Sequence, residues 1–376
     1  MSSVTYKCPN CGGPLSFKPD LQKLKCDYCL SEYTEQEARD FAGKHAKDAL
    51  SESDASAHAD ASSIQPASDP LSTTSAEAGS TEQAFEQQAR LYLCDSCGAE
   101  IVTDETTAAT FCYYCHNPTI LPRQLSGTFR PQKVIPFQFN REEATRSFVK
   151  WCRRKPLLST IFTSHSELEK LSGIYVPFWL HDCEVQGSLM AKGKKVRSWS
   201  KGGYHYTETK HYQIARTGTA RYSGVPADGS KKMDDAMMKV LEPYDYKELT
   251  DFSMAYLSGY LAEKYDVGKD EVFPGVSQRV QDDTDTLLRD TIQGYSHVHT
   301  EQSHMEMEQV TCTYVLLPVW MFTYQFKGKT YMFAMNGQTG KIAGSLPISW
   351  KRAAAWFGIV TGVSFAALST GGAFLW

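Results

Sequence analysis

The chain has 376 residues, 41% of them hydrophobic, which is enough for a globular core and for two or three domains. A formal net charge of -4 excludes an overall basic footprint for nucleic acid. Eleven cysteines would suit a disulfide-stapled secreted protein. However, Met1 to Pro9 is polar, unlike a secretory leader, and eight of the cysteines fall into C-x-x-C pairs.

In chain order, the composition predicts a multidomain protein: two small zinc ribbons, an α+β domain and a C-terminal transmembrane helix. The first ribbon covers 1–34. A flexible linker rich in Ser and Ala covers 35–90, where stretches such as Ser51 to His58 hold too little apolar surface to offset chain entropy. The second ribbon covers 91–122, the α+β domain 123–350 and the transmembrane helix 353–376.

The two cysteine groups are an internal repeat. Tyr6-Lys-Cys-Pro-Asn-Cys-Gly12 matches Tyr92-Leu-Cys-Asp-Ser-Cys-Gly98, and Cys26-Asp-Tyr-Cys29 matches Cys112-Tyr-Tyr-Cys115. Fourteen residues separate the inner cysteines in both copies. A C-x-x-C pair grips one ion from a tight knuckle, and a second pair on a facing hairpin completes a tetrahedron. Cys8, Cys11, Cys26 and Cys29 are therefore expected to bind one Zn2+, and Cys94, Cys97, Cys112 and Cys115 another. Gly12, Gly13 and Gly98 let the backbone turn closely around sulfur. With four thiolates and no open position, both sites read as structural rather than catalytic. Each ribbon is too small for a core of its own, so metal is expected to supply its fold. His116, next to Cys115, is a competing ligand on paper, but four cysteines already fill the shell.

In the long segment, Glu142 to Arg154 has helical spacing, with Phe148, Trp151 and Cys152 on one side. Ile174 to Val185 reads as a buried strand, and Tyr204 to Tyr222 alternates as strands do. Lys231–Leu241 and Leu249–Tyr265 are expected to be helices, as is the run marked by Val272, Val276, Val280, Leu287 and Leu288. A hairpin is expected from Tyr314 to Met335, followed by a turn at Asn336-Gly337. Tyr175-Val-Pro-Phe-Trp179 and Tyr314-Val-Leu-Leu-Pro-Val-Trp320 share a phrase. Cys152, Cys183 and Cys312 have apolar neighbours and read as core residues.

From Ala353 to Trp376 there is no charge, and as a helix this stretch would span about 36 Å against a hydrocarbon layer of roughly 30 Å. Lys351 and Arg352 precede it, where a cytosolic anchor carries positive charge. Trp356 and Trp376 lie near its two ends. The expected location is the cytoplasmic membrane, single-pass, with the bulk of the protein in the cytosol. Gly358, Gly362, Ala366 and Thr370 form a small-residue stripe along it.

No catalytic constellation emerges, and the chain is not expected to be an enzyme. Gly337-Gln-Thr-Gly-Lys341 lacks the spacing of a phosphate loop. His181 with Cys183 reads as ordinary packing, and His297, His299 and His304, near Glu306 and Glu308, read as a solvated edge strand. A nucleic-acid role for the ribbons meets an obstacle in the second one. Between Tyr92 and Pro122 it carries Asp95, Glu100, Asp104 and Glu105, with no Lys or Arg before Arg123. The basic-aromatic run from Lys192 to Tyr204 is the best remaining candidate for such contact, but it reads first as a solvated hairpin.

With those motifs in place, the chain resembles the bacterial TFIIB-type zinc-ribbon-containing membrane proteins, sometimes labelled primosomal helicase-like. The resemblance is carried by Tyr92 to Gly98, Val134-Ile-Pro-Phe137, Gly173 to Trp179, Tyr256 to Tyr265 and Met335 to Lys341. It implies association with SPFH (flotillin-like) proteins and phage-shock-protein-A-type membrane-stress proteins. The expected function is a membrane-anchored zinc-ribbon adaptor or scaffold that recruits protein partners. The alternative is a tethered nucleic-acid-binding ribbon protein.

Overall fold

A computed structural model describes residues 3–41, 90–95, 97–112, 115–155, 157–158, 171–326, 329–344 and 349–374. Most of the expected linker, 42–89, lies outside the described residues. Its first part, 35–41, is helical and opens on a capping box. The Thr34 hydroxyl accepts from the Glu37 N–H, and the Glu37 carboxylate accepts from the Thr34 N–H at 2.7 Å.

The first cysteine group folds as a three-stranded sheet of β1 (Leu15–Lys18), β2 (Lys23–Cys26) and β3 (Glu32–Tyr33). The second group is split. Its β4 (Arg90–Leu93) and β5 (Glu100–Thr103) pair with each other, whereas β6 (Thr107–Phe111) and β7 (Pro118–Ile120) belong to a large sheet. That sheet has ten strands. After β8 (Lys133–Val134) and helix α1 (Arg141–Arg153) come two very long strands, β9 (Ser172–Lys201) and β10 (Tyr204–Asp228). Helix α2 (Asp235–Leu241), β11 (Thr250–Asp251), β12 (Leu261–Glu263) and helix α3 (Lys269–Asp290) follow. The chain then returns along β13 (His297–Phe326), β14 (Lys329–Asn336) and β15 (Ile342–Gly344) to helix α4 (Trp350–Phe374).

Strand β9 is the axis. β13 runs antiparallel beside it, from Met321 opposite Ser172 to His297 opposite Lys194. β10 covers its other edge, from Tyr204 opposite Lys201 to Asp228 opposite Phe178. Where β10 leaves, β12 takes its place, parallel to Ile174 and Tyr175. The shared phrases lie side by side, with Tyr314 opposite Trp179 and Pro318 opposite Tyr175. From Gly173 to His181 every residue is buried, because both sheet faces are covered there. On one face Val176, Phe178, Val315 and Leu317 pack beneath Met238 and Leu241 of α2. On the other, Tyr175, Trp179, Tyr314 and Trp320 join Phe148 of α1 and the residues of the first ribbon.

Beyond His181 the sheet narrows to a ribbon of β10, β9 and β13, with only α3 packed along it. Burial then alternates: Cys183, Val185, Leu189 and Ala191 face the helix. The helix answers with Val276, Val280, Thr284 and Leu288, four residues apart. Gly187 makes the close approach feasible, since a Cβ there would lie 2.8 Å from both Leu288 Cδ1 and Met305 Sδ. The arm ends in a two-residue turn, Gly202-Gly203, with φ of 60° and 80°. Positive φ at both positions matches the twist of a tight hairpin, and glycine adopts it without strain.

Helix α1 is fixed by its start. Asn140 accepts from the Glu143 N–H at 2.9 Å, and the Glu143 carboxylate accepts from the Asn140 N–H at 2.9 Å. Asn140→Ala is expected to cost about 1 kcal/mol, read as a lower denaturant midpoint with an unchanged slope.

One expected helix is not formed. Leu249–Tyr265 folds instead as β11, a single 3-10 turn over Met254–Leu257, and β12. The helical spacing of Phe252, Tyr256 and Tyr260 arises because all three turn toward one core. Gly259, at φ 92° against Ser16, ends any helical run.

Candidate metal centres

Each C-x-x-C pair forms a knuckle, and the four knuckles share one hydrogen-bond pattern. The N–H of Cys8, Cys26, Cys94 and Cys112 donates to the carbonyl of Gly13, Ser31, Ala99 and Asn117, respectively. The carbonyls of the same four cysteines accept from Gly12, Leu30, Gly98 and His116. The residue after each second cysteine has positive φ: 74° at Gly12, 62° at Leu30, 73° at Gly98 and 56° at His116. His116 is thus the left-handed corner of its knuckle, equivalent to Gly98. The sequence marks this corner only where it is glycine. Leu30 and His116 were legible solely by their place in the repeat.

The knuckles bring all eight expected cysteines together in two groups of four, with sulfurs within 4.8 Å of one another in each group. Cys8 and Cys29 are 3.5 Å apart and Cys11 and Cys26 3.4 Å. In the second group, Cys94–Cys115 is 3.8 Å and Cys97–Cys112 3.7 Å. A tetrahedral ion with bonds of ~2.3 Å to sulfur requires edges of roughly 3.8 Å. One thiol of every pair is buried: Cys8, Cys26, Cys94 and Cys112. Taken by themselves, sulfurs this close share protons unevenly. The Gly13 N–H lowers the Cys11 thiol, but hydrogen bonds with Cys26 and Cys29 push it up to about 12. Ser31 draws Cys29 down to about 6, and burial pushes Cys115 up to about 12. Gly13 is held small by its surroundings, because a Cβ there would lie 2.8 Å from the Tyr28 ring and 3.4 Å from two sulfurs.

The first ribbon is docked on the body. Leu15, Phe17 and Leu24 share a core with Phe137 and Tyr260. The Phe17 N–H donates to the Ser258 carbonyl at 2.9 Å, and the Gln22 amide donates to the Phe137 carbonyl at 2.8 Å. The ribbons also touch each other. Val4 and Ile120 exchange two backbone hydrogen bonds of 2.9 Å, and Lys7 pairs with Asp95 at 3.2 Å. Between them lies a groove of about 570 Å³ lined by Lys7, Cys11, Gly12, Tyr28 and Asn117.

A charge network clamps the second ribbon. Lys232 reaches Asp104 at 2.6 Å and Glu263 at 3.2 Å. Burial alone raises the Asp104 carboxyl, but Lys232 and Thr107 outweigh it and bring it from 3.8 to about 2. The folded value lies below the unfolded one, so this interaction contributes in full above about pH 4 and is lost as pH falls toward about 2. Asp104→Asn is expected to be less stable than the parent at neutral pH. That difference should vanish over the same window in denaturant titrations at a series of pH values.

The remaining candidates lie apart from the cysteine groups, and the buried His181 Nδ1 has no hydrogen-bond partner among the described residues. His181 and Cys183 are buried side by side, and burial lowers the imidazole and raises the thiol. Cys152 is buried and Cys312 half-buried. His297, His299 and His304 stand exposed on the outer end of β13. Among the described residues, only the two cysteine groups bring three or more metal-ligating side chains together.

Helix α4 differs from every other element. It is long and apolar enough to cross a membrane, with mean hydropathy 1.3 over Trp350–Ser369 and none of its span buried. Phe357, Val363, Phe365 and Leu368 all face outward.

Over 249 residues the chain is 41% identical to the uncharacterized protein YdjG of Bacillus subtilis (strain 168), covering 66% of this chain and 73% of that protein. No family model matches the chain, and no solved structure matches it.

Proposed function

We propose that this chain, which belongs to the family of the Bacillus subtilis protein YdjG, is a membrane-anchored adaptor with two structural zinc ribbons. The observation that carries the reading is a combination. Two cysteine quartets have the sulfur spacing of a tetrahedral ion, and they sit on a folded body from which a fully exposed apolar helix emerges. Zinc suits the donor set, since four thiolates in a closed shell are the usual structural site for that ion. Its chemistry here is to hold four deprotonated sulfurs at one point and so fix the knuckles. An apolar helix exposed all round has no reason to remain in water, and a bilayer of roughly 30 Å matches its length. Lys351 and Arg352 at its start favour a cytosolic body.

The docked ribbons favour protein recruitment. Tyr28 and Leu30, at the second knuckle, are 75% and 65% exposed beside the groove between the ribbons. Exposed aromatic and aliphatic side chains at a rigid corner are suited to burial against a partner. Partners of the SPFH (flotillin-like) or phage-shock-protein-A type are those the family resemblance implies. No catalytic role is proposed.

Crosslinking followed by purification from solubilised membranes tests the reading. A defined membrane-associated protein should co-purify with the parent chain and be lost from a variant carrying Cys94→Ser and Cys97→Ser. Binding of duplex nucleic acid with a steep salt dependence, and no protein partner, would replace the adaptor with the tethered nucleic-acid reading.

A further inference from the structure

The far end of the arm has a composition unlike the rest of the molecule. Between Lys192 and Gln213 there are six Lys or Arg residues and one acid, Glu208, although the whole chain is acidic. Lys192 is ion-paired to Glu301 of β13, and Lys210 to Glu208 at 3.4 Å. Among the described residues, Lys194, Lys195, Arg197 and Lys201 have no carboxylate partner. The register places Lys195, Arg197, Trp199 and Lys201 of β9 opposite Lys210, Glu208, Tyr206 and Tyr204 of β10, on one face of the hairpin.

Aromatic rings fill that face between the cations. Trp199 stacks on Tyr206 with centroids 5.6 Å apart and planes within 13°. Arg197 lies 5.7 Å from the Trp199 centroid, and Lys195 lies 5.5 Å and 5.1 Å from Tyr212 and Tyr295. Trp199 is nevertheless 42% exposed and Tyr204 71%. No core lies beneath them, because β13 ends at His297, opposite Lys194, and α3 ends at Asp290. The twenty steps of strand from His181 to Lys201 carry this tip roughly 65 Å from the body.

A polyanion is the complementary partner. Trp199 has one ring face covered by Tyr206 and Arg197 near it, and Tyr204 at the turn stands open. Indole and phenol rings flanked by lysine and arginine match the headgroup layer of a bilayer, where an apolar ring body and a polar edge are both satisfied. We propose that the β9–β10 tip, through Lys195, Arg197, Trp199, Lys201, Tyr204 and Tyr206, docks on the surface of an anionic phospholipid bilayer. The arm then gives the chain a membrane contact remote from α4. The preference for lipid over other polyanions rests on the membrane reading of α4.

The test uses the full chain reconstituted in phosphatidylcholine nanodiscs, whose neutral surface leaves the tip free. Binding is measured to vesicles of equal parts phosphatidylglycerol and phosphatidylcholine, and to vesicles of phosphatidylcholine alone. Binding to the anionic vesicles only, weakening with salt, is expected. The combined Lys195→Gln, Arg197→Gln and Lys201→Gln variant should bind on the order of a hundredfold more weakly, at about fivefold per cation. Trp199→Ala with Tyr206→Ala should also weaken binding but leave its salt dependence unchanged. Both variants change exposed side chains, so zinc content and circular dichroism should match the parent. Equal binding to both vesicle types, no effect of the cation variant, or tighter binding of duplex DNA at matched phosphate would overturn the proposal. If the chain does not enter nanodiscs, the α4 reading fails. The same vesicle measurement on the soluble chain then decides the tip separately.

Discussion

Replacing Cys26 with serine is expected to halve the zinc content, from two ions per chain to one, and to unsettle more than the first ribbon. Structural zinc in small modules contributes ~10–16 kcal/mol of apparent binding energy at neutral pH. This is comparable to the total stability of an ordinary domain, about 5–15 kcal/mol, so a ribbon with three thiols should not hold its shape. The damage should spread because Leu15, Phe17 and Leu24 are part of the body's core, beside Phe137 and Tyr260. Elemental analysis should show the lost ion, and a melting profile should show the body unfolding at lower temperature. A variant that loses one zinc with no change in the body's melting would contradict the shared core. Cys112→Ser should remove the other ion. Its effect should reach the large sheet through β6 and β7, which carry the second ribbon into it.

The second large effect concerns α4. Val360 and Phe365 are both exposed on an apolar helix. An arginine near the centre of a spanning helix costs about 2.5–3.5 kcal/mol on insertion scales, so Val360→Arg with Phe365→Arg should cost roughly 5–7 kcal/mol. The expected result is transfer of the chain from the membrane pellet to the soluble fraction, with both zinc ions retained. In a helix merely exposed to water, the same changes would leave fractionation unaltered.

These effects were legible to different degrees in the amino-acid sequence. The grouping of the eight cysteines was readable, because the same C-x-x-C spacing occurs twice. Helices α1 and α3 were readable because one face of each is buried every fourth residue: Ala144, Phe148 and Cys152 in one, Val276, Val280, Thr284 and Leu288 in the other. Leu287, beside that stripe, is 55% exposed and marks where composition overstates the buried face.

What the sequence hid depends on partners distant along the chain. The outer half of β9 is polar on one face, so nothing local joins the buried strand at Ile174–Val185 to the hairpin at Lys192–Tyr204 as one continuous strand. It remains a strand because β10 and β13 supply its hydrogen bonds on both sides. The docking of the first ribbon was equally hidden. The first ribbon reads as too small for a core of its own, yet the neighbours of Phe17 and Leu24 include residues more than a hundred positions away. The misread segment around Phe252, Tyr256 and Tyr260 has the same origin. Its spacing reflects packing into one shared core, where Tyr260 stacks on Phe137 at 4.2 Å and Tyr256 meets Phe17 edge-on at 5.3 Å, and not the period of a helix.

Zinc content and membrane retention can be read together in one preparation: the metal-to-protein ratio of full chain recovered from carbonate-washed membranes with detergent. Two zinc ions per chain in that fraction are predicted, from the two cysteine quartets and the exposed apolar helix. A washed membrane fraction empty of the chain, or one holding the chain without zinc, would contradict the proposal that folded ribbons are held at a bilayer.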